Sequence, residues 1–218
     1  MDRAVTPLVV AIVGAESTGK TALAHALHAA LVADGLAVAV VDETLRRFCE
    51  EHGRTPRQDE QHSIARAQTR RIDEAAAGHG LVLADTTALM TAVYSEIVFG
   101  DRSLYEEAEA AHRRCGLTLL TALDLPWVAD GLQRDGPQVR VPVDVLLRSA
   151  LARAGVDHAV IAGHGQARLD AALRAVRRAW SGHTRGGGSP RVEPRWRAHC
   201  ERCGDAACER HSLHFPRR

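Results

Sequence analysis

Uninterrupted apolar runs alternate with amphipathic stretches along most of the chain. The run from Leu8 to Val13 carries no polar position, which is the pattern of a strand covered on both faces in a parallel sheet. Shorter runs from Ala37 to Val41, Leu81 to Ala84, Leu117 to Leu123 and His158 to Ala162 predict four more strands. A helix is predicted from Gly19 to about Ala33, because Leu23, Leu27 and Leu31 fall four apart on one face and Gly35 ends the pattern. A second helix runs through Leu45 and Phe48. A long polar helix is expected to start at Thr55-Pro56 and reach Ala77, with Ile64, Ala65, Gln68 and Ile72 inward. Further helices are predicted from Ala88 to Val98, Leu104 to Arg114, Val143 to Ala154 and Ala167 to Trp180. Strands separated by helices imply an α/β fold, a doubly wound, mostly parallel five-stranded sheet. The helical periodicity stops after Trp180. Residues 1–180 therefore read as one domain, 181–194 as a flexible linker around Gly186-Gly187-Gly188-Ser189-Pro190, and 195–218 as a small Cys/His/Arg-rich tail.

Composition narrows this picture. A length of 218 residues suits one core with a small appendage, and a formal charge of +1 supplies no field for gathering nucleic acid, so a small anionic ligand fits better. Nucleic acid remains conceivable only through the arginine-rich tail. The longest apolar run, Leu8 to Ala15, falls well short of the roughly 20 residues a membrane span needs. It also lacks the basic flank of a signal peptide, so it reads as a strand. Five cysteines, three of them in the last nineteen residues, do not make a disulfide framework, and the cytoplasm is the expected compartment. Of 28 basic residues, Lys20 alone is lysine. A forked guanidinium cannot replace a compact ammonium inside a phosphate cradle, so the lone lysine marks where that chemistry is demanded.

That lysine lies in Gly14-Ala15-Glu16-Ser17-Thr18-Gly19-Lys20-Thr21, which satisfies G-x-x-x-x-G-K-[ST] between a predicted strand and a predicted helix. Such a phosphate loop, or P-loop, turns consecutive N–H groups toward a phosphate and adds the positive end of the following helix. The expected ligand is ATP with magnesium: Lys20 reaches the β- and γ-phosphates and the Thr21 hydroxyl ligates the ion. Asp85 ends a predicted strand where a carboxylate orients water on the metal, although it could instead cap the next helix, as Thr86 or Thr87 could. Asp42 and Glu43 end the second strand at the same sheet edge. One of them is expected to accept a proton from an acceptor hydroxyl, the alternative being solvated capping acids. Arg134 and Arg140 flank Gly136-Pro137 in a loop that could close as a lid over the transferring phosphoryl group. Gly163-His164-Gly165 could pack against adenine through its backbone or serve only as a turn, and His164 receives no chemical role.

In the tail, Cys200, Cys203, Cys208 and His211 offer three thiolates and an imidazole within twelve residues. Four such ligands satisfy tetrahedral zinc, and metal binding is the usual way so short a segment becomes ordered. His199 or His214 could replace His211. A structural zinc ion is the expectation.

Several of these segments together resemble a known family. The P-loop octet, Glu43-Thr44-Leu45-Arg46, Ile64-Ala65-Arg66-Ala67-Gln68, Asp85-Thr86, and Asp124-Leu125-Pro126-Trp127-Val128-Ala129-Asp130-Gly131-Leu132 occur in the order found in NadR-like nicotinamide riboside kinase domains, an AAA-labelled branch of the P-loop kinases. The resemblance runs from about Leu8 to Trp180. It implies ATP-dependent phosphorylation of a riboside 5′-hydroxyl, with Lys20 and Thr21 at ATP and magnesium, Asp85 near the metal, and Glu43, Arg46 and Asp130 around the acceptor. Asp42, Gln68 and Trp127 are further residues expected on the substrate side. Thr44 stands where the family commonly has tyrosine, and Gln133 followed by Arg134 where it has arginine. The adenylyltransferase and helix-turn-helix parts of bifunctional members are not recognisable, so a stand-alone kinase domain is expected. An ATPase or nucleotide switch whose tail engages a partner, and a kinase for another metabolite, are the alternatives.

Overall fold

The computed structural model describes residues 6–128 and 136–184. Its strands β1 (Leu8–Val13), β2 (Val38–Val41), β3 (Leu81–Asp85), β4 (Leu117–Thr121) and β5 (Ala159–Ile161) form one sheet in the order β2-β3-β1-β4-β5. Every neighbouring pair is parallel. The chain leaves β1 toward the β2 edge and leaves β4 toward the β5 edge, so a crevice opens between these two strands at their carboxyl ends, the place where open α/β sheets bind ligands.

The continuous apolar sequence of β1 is explained by what lies on its two faces. Leu8, Val10 and Ile12 face a cluster with Leu23, Leu27 and Leu31 of α1 (Lys20–Ala33) and Leu173 and Val176 of α7 (Gly165–Thr184). Ala11 and Val13 face the opposite cluster, built with α2 (Thr44–His52), α3 (Gln61–Gly78), α4 (Ala88–Phe99), α5 (Tyr105–His112) and α6 (Arg140–Arg153). The first eight residues of α4 are all buried, so this helix is covered on every side and shows no amphipathic stripe. No helix among the described residues is long and apolar enough to cross a membrane.

Three helix boundaries differ from the sequence expectation for local reasons. Pro56 does not open α3. A one-turn 3-10 helix, Gln58–Glu60, comes first, and the Glu60 carboxylate accepts from the Arg57 backbone N–H and takes a bidentate pair from Arg54. Helix α6 starts before Val143, since Pro142 sits in its first turn, where a missing N–H breaks no helical hydrogen bond. Helix α7 continues through Ser181 and Gly182 to Thr184, so the segment read as linker from 181 is helical for its first four residues. Trp180 lies against Gly80, and His183 bonds the Thr6 carbonyl, which ties this last turn to the start of the chain.

The α1 face depends on side chains with no exposure, so Leu27→Ala should lower the unfolding free energy by about 2–5 kcal/mol, through lost transfer energy and a residual cavity. Urea denaturation with an unchanged slope checks this.

Candidate active site

The P-loop occupies the turn between β1 and α1, and its backbone takes conformations that side chains resist. Gly14 has φ 150° and Gly19 φ 73°, while Ser17, at φ 53°, is one of two non-glycine residues with positive φ among the described residues. A Cβ on Gly14 would lie 2.0 Å from Thr121 Oγ1, so the loop fits only because β4 approaches an absent side chain. Thr18 Oγ1 donates to Ala15 O at 2.7 Å and accepts at 2.7 Å from the Thr121 hydroxyl, whose single proton is shared with the Val13 carbonyl at 3.2 Å. All four groups are buried. Gly14→Ala should therefore cost about 1–3 kcal/mol from overpacking alone, with the unfavourable φ adding to it, and should depress nucleotide binding along with stability. Thermal melts with and without nucleotide read both effects.

Lys20 Nζ donates to Ala15 O at 2.9 Å, across the mouth of the loop. Thr21 Oγ1 donates to Asp85 Oδ2 at 2.5 Å. The carboxylate of Asp85 is almost wholly buried, and its Oδ1 has no hydrogen-bond partner. Burial pushes the Asp85 carboxyl above its ordinary value, against the Thr21 hydrogen bond and the nearby Lys20 charge, which lower it. A hydroxyl beside a carboxylate with a bare oxygen is a donor set suited to magnesium, which takes one or two protein oxygens and completes its shell with phosphate and water. Among the described residues no three His, Cys, Asp or Glu side chains gather into a closed metal cage. Asp85 is not needed as a cap, because Thr87 caps α4 by accepting from the Leu89 N–H.

Helix α2 forms the facing side. Glu43 is its N-cap residue but makes no side-chain capping bond, and its carboxylate, 11% exposed, lies 3.8 Å from Arg46 Nε. Asp42, by contrast, is 56% exposed and faces His25 at 3.8 Å. Geometry thus separates the two carboxylates by their exposure. Arg46 shares a cleft of about 520 Å³ with Ser17, Gly19, Lys20 and Thr21, closed on one side by Leu125, Pro126 and Val128. Phosphate-binding and α2 groups therefore open onto one space.

Other expected site residues have different placements. Gln68 is buried and spends its amide on backbone: Oε1 accepts from Thr44 N at 2.8 Å and Nε2 donates to Thr86 O at 3.3 Å. It joins the start of α2 to the end of β3 and so positions this region instead of presenting a free amide to an acceptor. Thr44 Oγ1 accepts from Arg71, which also donates to the Asp42 carbonyl. Trp127 is not among the residues lining the cleft. Arg140 is not on a loop. It begins α6, is buried, and donates through Nη1 to Leu125 O at 2.9 Å, so it braces a cleft-lining segment as a fixed group, not as a swinging lid residue. Arg134, Asp130 and the zinc candidates Cys200, Cys203, Cys208 and His211 lie outside the described residues.

The sequence reading missed two groups. Arg168 sits on the inward face of α7 with Ala172, Leu173 and Val176, and it binds Asp124, Gly163 and Thr18. A charged residue on an apolar stripe was the available signal. His112 is buried between Thr87 Oγ1 at 2.9 Å and Thr118 Oγ1 at 3.0 Å.

Residues 9–168 match the AAA domain family AAA_28. The chain belongs to this AAA domain family. No curated protein matches it. Among solved structures this AAA domain is similar to the NadR protein in complex with NR, at 21% identity and a TM-score of 0.64 over 80% of this chain and 50% of that one. It is equally similar to the NadR protein in complex with NAD and AMP-PNP, at 20% identity and a TM-score of 0.64, covering 81% of this chain and 50% of the other. A thymidylate kinase from Ehrlichia chaffeensis matches at 12% identity and a TM-score of 0.56, over 80% of this chain and 98% of that enzyme. The chain spans about half the length of the NadR structures, and the shared fold is that of P-loop kinases, in agreement with the resemblance carried by the five motifs.

His112 gives this AAA domain a pH signature. Burial pushes its imidazole down to about 4 from an ordinary 6.5. Between these values the unfolded chain binds the extra proton, so stability rises with pH through this window, is fully present above 6.5 and is lost as pH falls toward 4. The full effect is about 3 kcal/mol. His112→Gln should flatten the slope of unfolding free energy against pH between 4 and 6.5, as denaturant titrations at several pH values will read.

Proposed function

We propose that the protein transfers the γ-phosphoryl group of ATP to the 5′-hydroxyl of a riboside, nicotinamide riboside or a close relative. The carrying observation is the cleft that joins Lys20 and Thr21 to Arg46, whose Nε lies 3.8 Å from the Glu43 carboxylate, although Glu43 is not itself among the lining residues. A nucleotide switch or ATPase needs only the first half of this arrangement. A kinase needs a second, carboxylate-bearing side that excludes water from the γ-phosphate and holds a hydroxyl in line with it.

In this reading the Lys20 ammonium leaves Ala15 O for the β/γ oxygens and neutralises charge that grows as the phosphoryl group moves. Thr21 would hold magnesium with Asp85 beside it, and the bound ion would supply positive charge to the phosphate groups. Glu43 accepts the acceptor proton, and Arg46, 3.8 Å away, orients its carboxylate. Asp42, paired with His25 toward solvent, plays no part in the transfer. Thr44 is engaged by Arg71, so the base of the riboside is held without an aromatic stack at that position.

The test is ATP consumption with and without added ribosides. Turnover that rises sharply with nicotinamide riboside supports the proposal, and turnover indifferent to every riboside overturns it. Glu43→Gln should lower kcat by about 10²–10⁴-fold with ATP affinity nearly unchanged, whereas weakened ATP binding with preserved turnover would move Glu43 to the metal. Lys20→Ala should abolish transfer with the fold intact, and Lys20→Arg should not restore it, because the planar fork does not fit the cradle.

A further inference from the structure

Arg168 is an expensive residue for its place. It stands in the first turn of α7, where the helix dipole disfavours a cation, on a face whose other inward residues are apolar, and it is 5% exposed. Its guanidinium is used in three directions. Nη2 donates to the Thr18 carbonyl at 2.6 Å, Nη1 donates to Gly163 O at 3.2 Å, and Nη1 also meets Asp124 Oδ1 at 3.3 Å. Asp124 in turn accepts from the Gly163 N–H at 2.5 Å. Those amide and guanidinium partners hold the Asp124 carboxyl below its usual range, which keeps the counter-charge in place.

The 2.6 Å bond is the informative one, because of the peptide it grips. The Thr18 carbonyl and the Gly19 N–H belong to one planar unit, and the described residues contain no cis peptide bond. In a trans peptide the C=O and N–H point in opposite directions, so a donor fixed on Thr18 O aims the Gly19 N–H away from Arg168. Gly19 lines the cleft beside Lys20 and Thr21. This peptide plane turns about ψ of Thr18 and φ of Gly19, and Gly19, with no Cβ and φ at 73°, leaves that rotation open unless a contact on the carbonyl fixes it. A charged donor on the carbonyl also polarises the amide across the plane and makes its N–H a stronger donor.

We infer that Arg168 is a positioning residue that aims and polarises the Gly19 N–H toward a phosphate group in the cleft, with Asp124 as its counter-charge. The inference rests on the nucleotide reading above. It also assigns a purpose to the junction of the segment after β4, the β5–α7 turn and the P-loop, since one side chain bonds all three.

The experiment measures binding of AMP-PNP with magnesium by calorimetry to wild type, Arg168→Met and Asp124→Asn, together with the Gly19 amide proton shift of each nucleotide-free protein. Loss of a charge-assisted bond predicts binding about 10–100-fold weaker in Arg168→Met, with the acceptor KM held. The Gly19 amide proton should move upfield even before nucleotide is added. Asp124→Asn, at a side chain one-third exposed, should fold and weaken binding by about two- to fivefold. It keeps the inference testable if Arg168→Met does not fold. Variants that melt earlier yet keep wild-type affinity and an unmoved Gly19 resonance would reduce Arg168 to a packing residue and overturn the inference. Failure of the wild type itself to bind AMP-PNP overturns the nucleotide reading instead, and the Gly19 shift still reports on the aiming contact.

Discussion

The closeness of the P-loop to β4 is the constraint on which the site depends. Because Gly14 lacks a side chain, Thr121 can enter the space where a Cβ would stand, bond Val13 O and meet Thr18, and so fix the loop from below. That contact exists only with β1 and β4 adjacent in the sheet, which the order β2-β3-β1-β4-β5 provides by sending the chain from β3 back across β1. The phosphate cradle is therefore a product of the whole topology and not of eight residues. Arg168 acts on the same loop from the other end of the sequence, and Val128 N adds a 2.7 Å bond to Ser17 Oγ. A segment with several positive-φ residues would be costly if left alone, and here it is held by contacts from β4, from the segment after it and from α7.

On this frame the two halves of the cleft are positioned by different means. The hydrogen-bonded pair Thr21 and Asp85 comes from the first turn of α1 and the last residue of β3. It is close because β1 and β3 are hydrogen-bonded neighbours in register. The opposite side rides on α2, whose start is pinned by Gln68 to Thr86 and by Arg71 to Asp42 and Thr44. Thr86, at φ 69°, is a β-branched residue in a left-handed conformation directly after Asp85, and its N–H and C=O are both bonded, to Ile12 O and from Gln68. Strain at the turn that carries Asp85 is thus locked by a residue that sequence reasoning had placed at the substrate.

Much of the fold was legible because buried parallel strands write themselves as continuous apolar runs, and the P-loop was legible because its glycines and lysine have no chemical substitutes. Helix starts at Pro56 and Pro142 were not, since a proline reads alike as a loop end and as a first-turn residue. Between Asp42 and Glu43 the sequence favoured Glu43 only through the family resemblance, with no physical ground in the residues themselves. Adjacent residues at a strand end point to opposite sides, and only the packing of α2 shows which side is dry. Arg168 was hidden for a further reason: its three partners lie in three separate segments, and nothing local marks a residue whose task is a contact 150 positions away.

The central claim is that the cleft carries a phosphoryl group from a nucleotide to a riboside hydroxyl and not to water. The most direct measurement follows the γ-phosphorus of ATP by 31P NMR during turnover with nicotinamide riboside and weighs the riboside afterwards. The account predicts a phosphomonoester resonance growing in step with ADP and a riboside heavier by one phosphoryl group. Inorganic phosphate growing in step with ADP, with every riboside recovered unchanged, would contradict it.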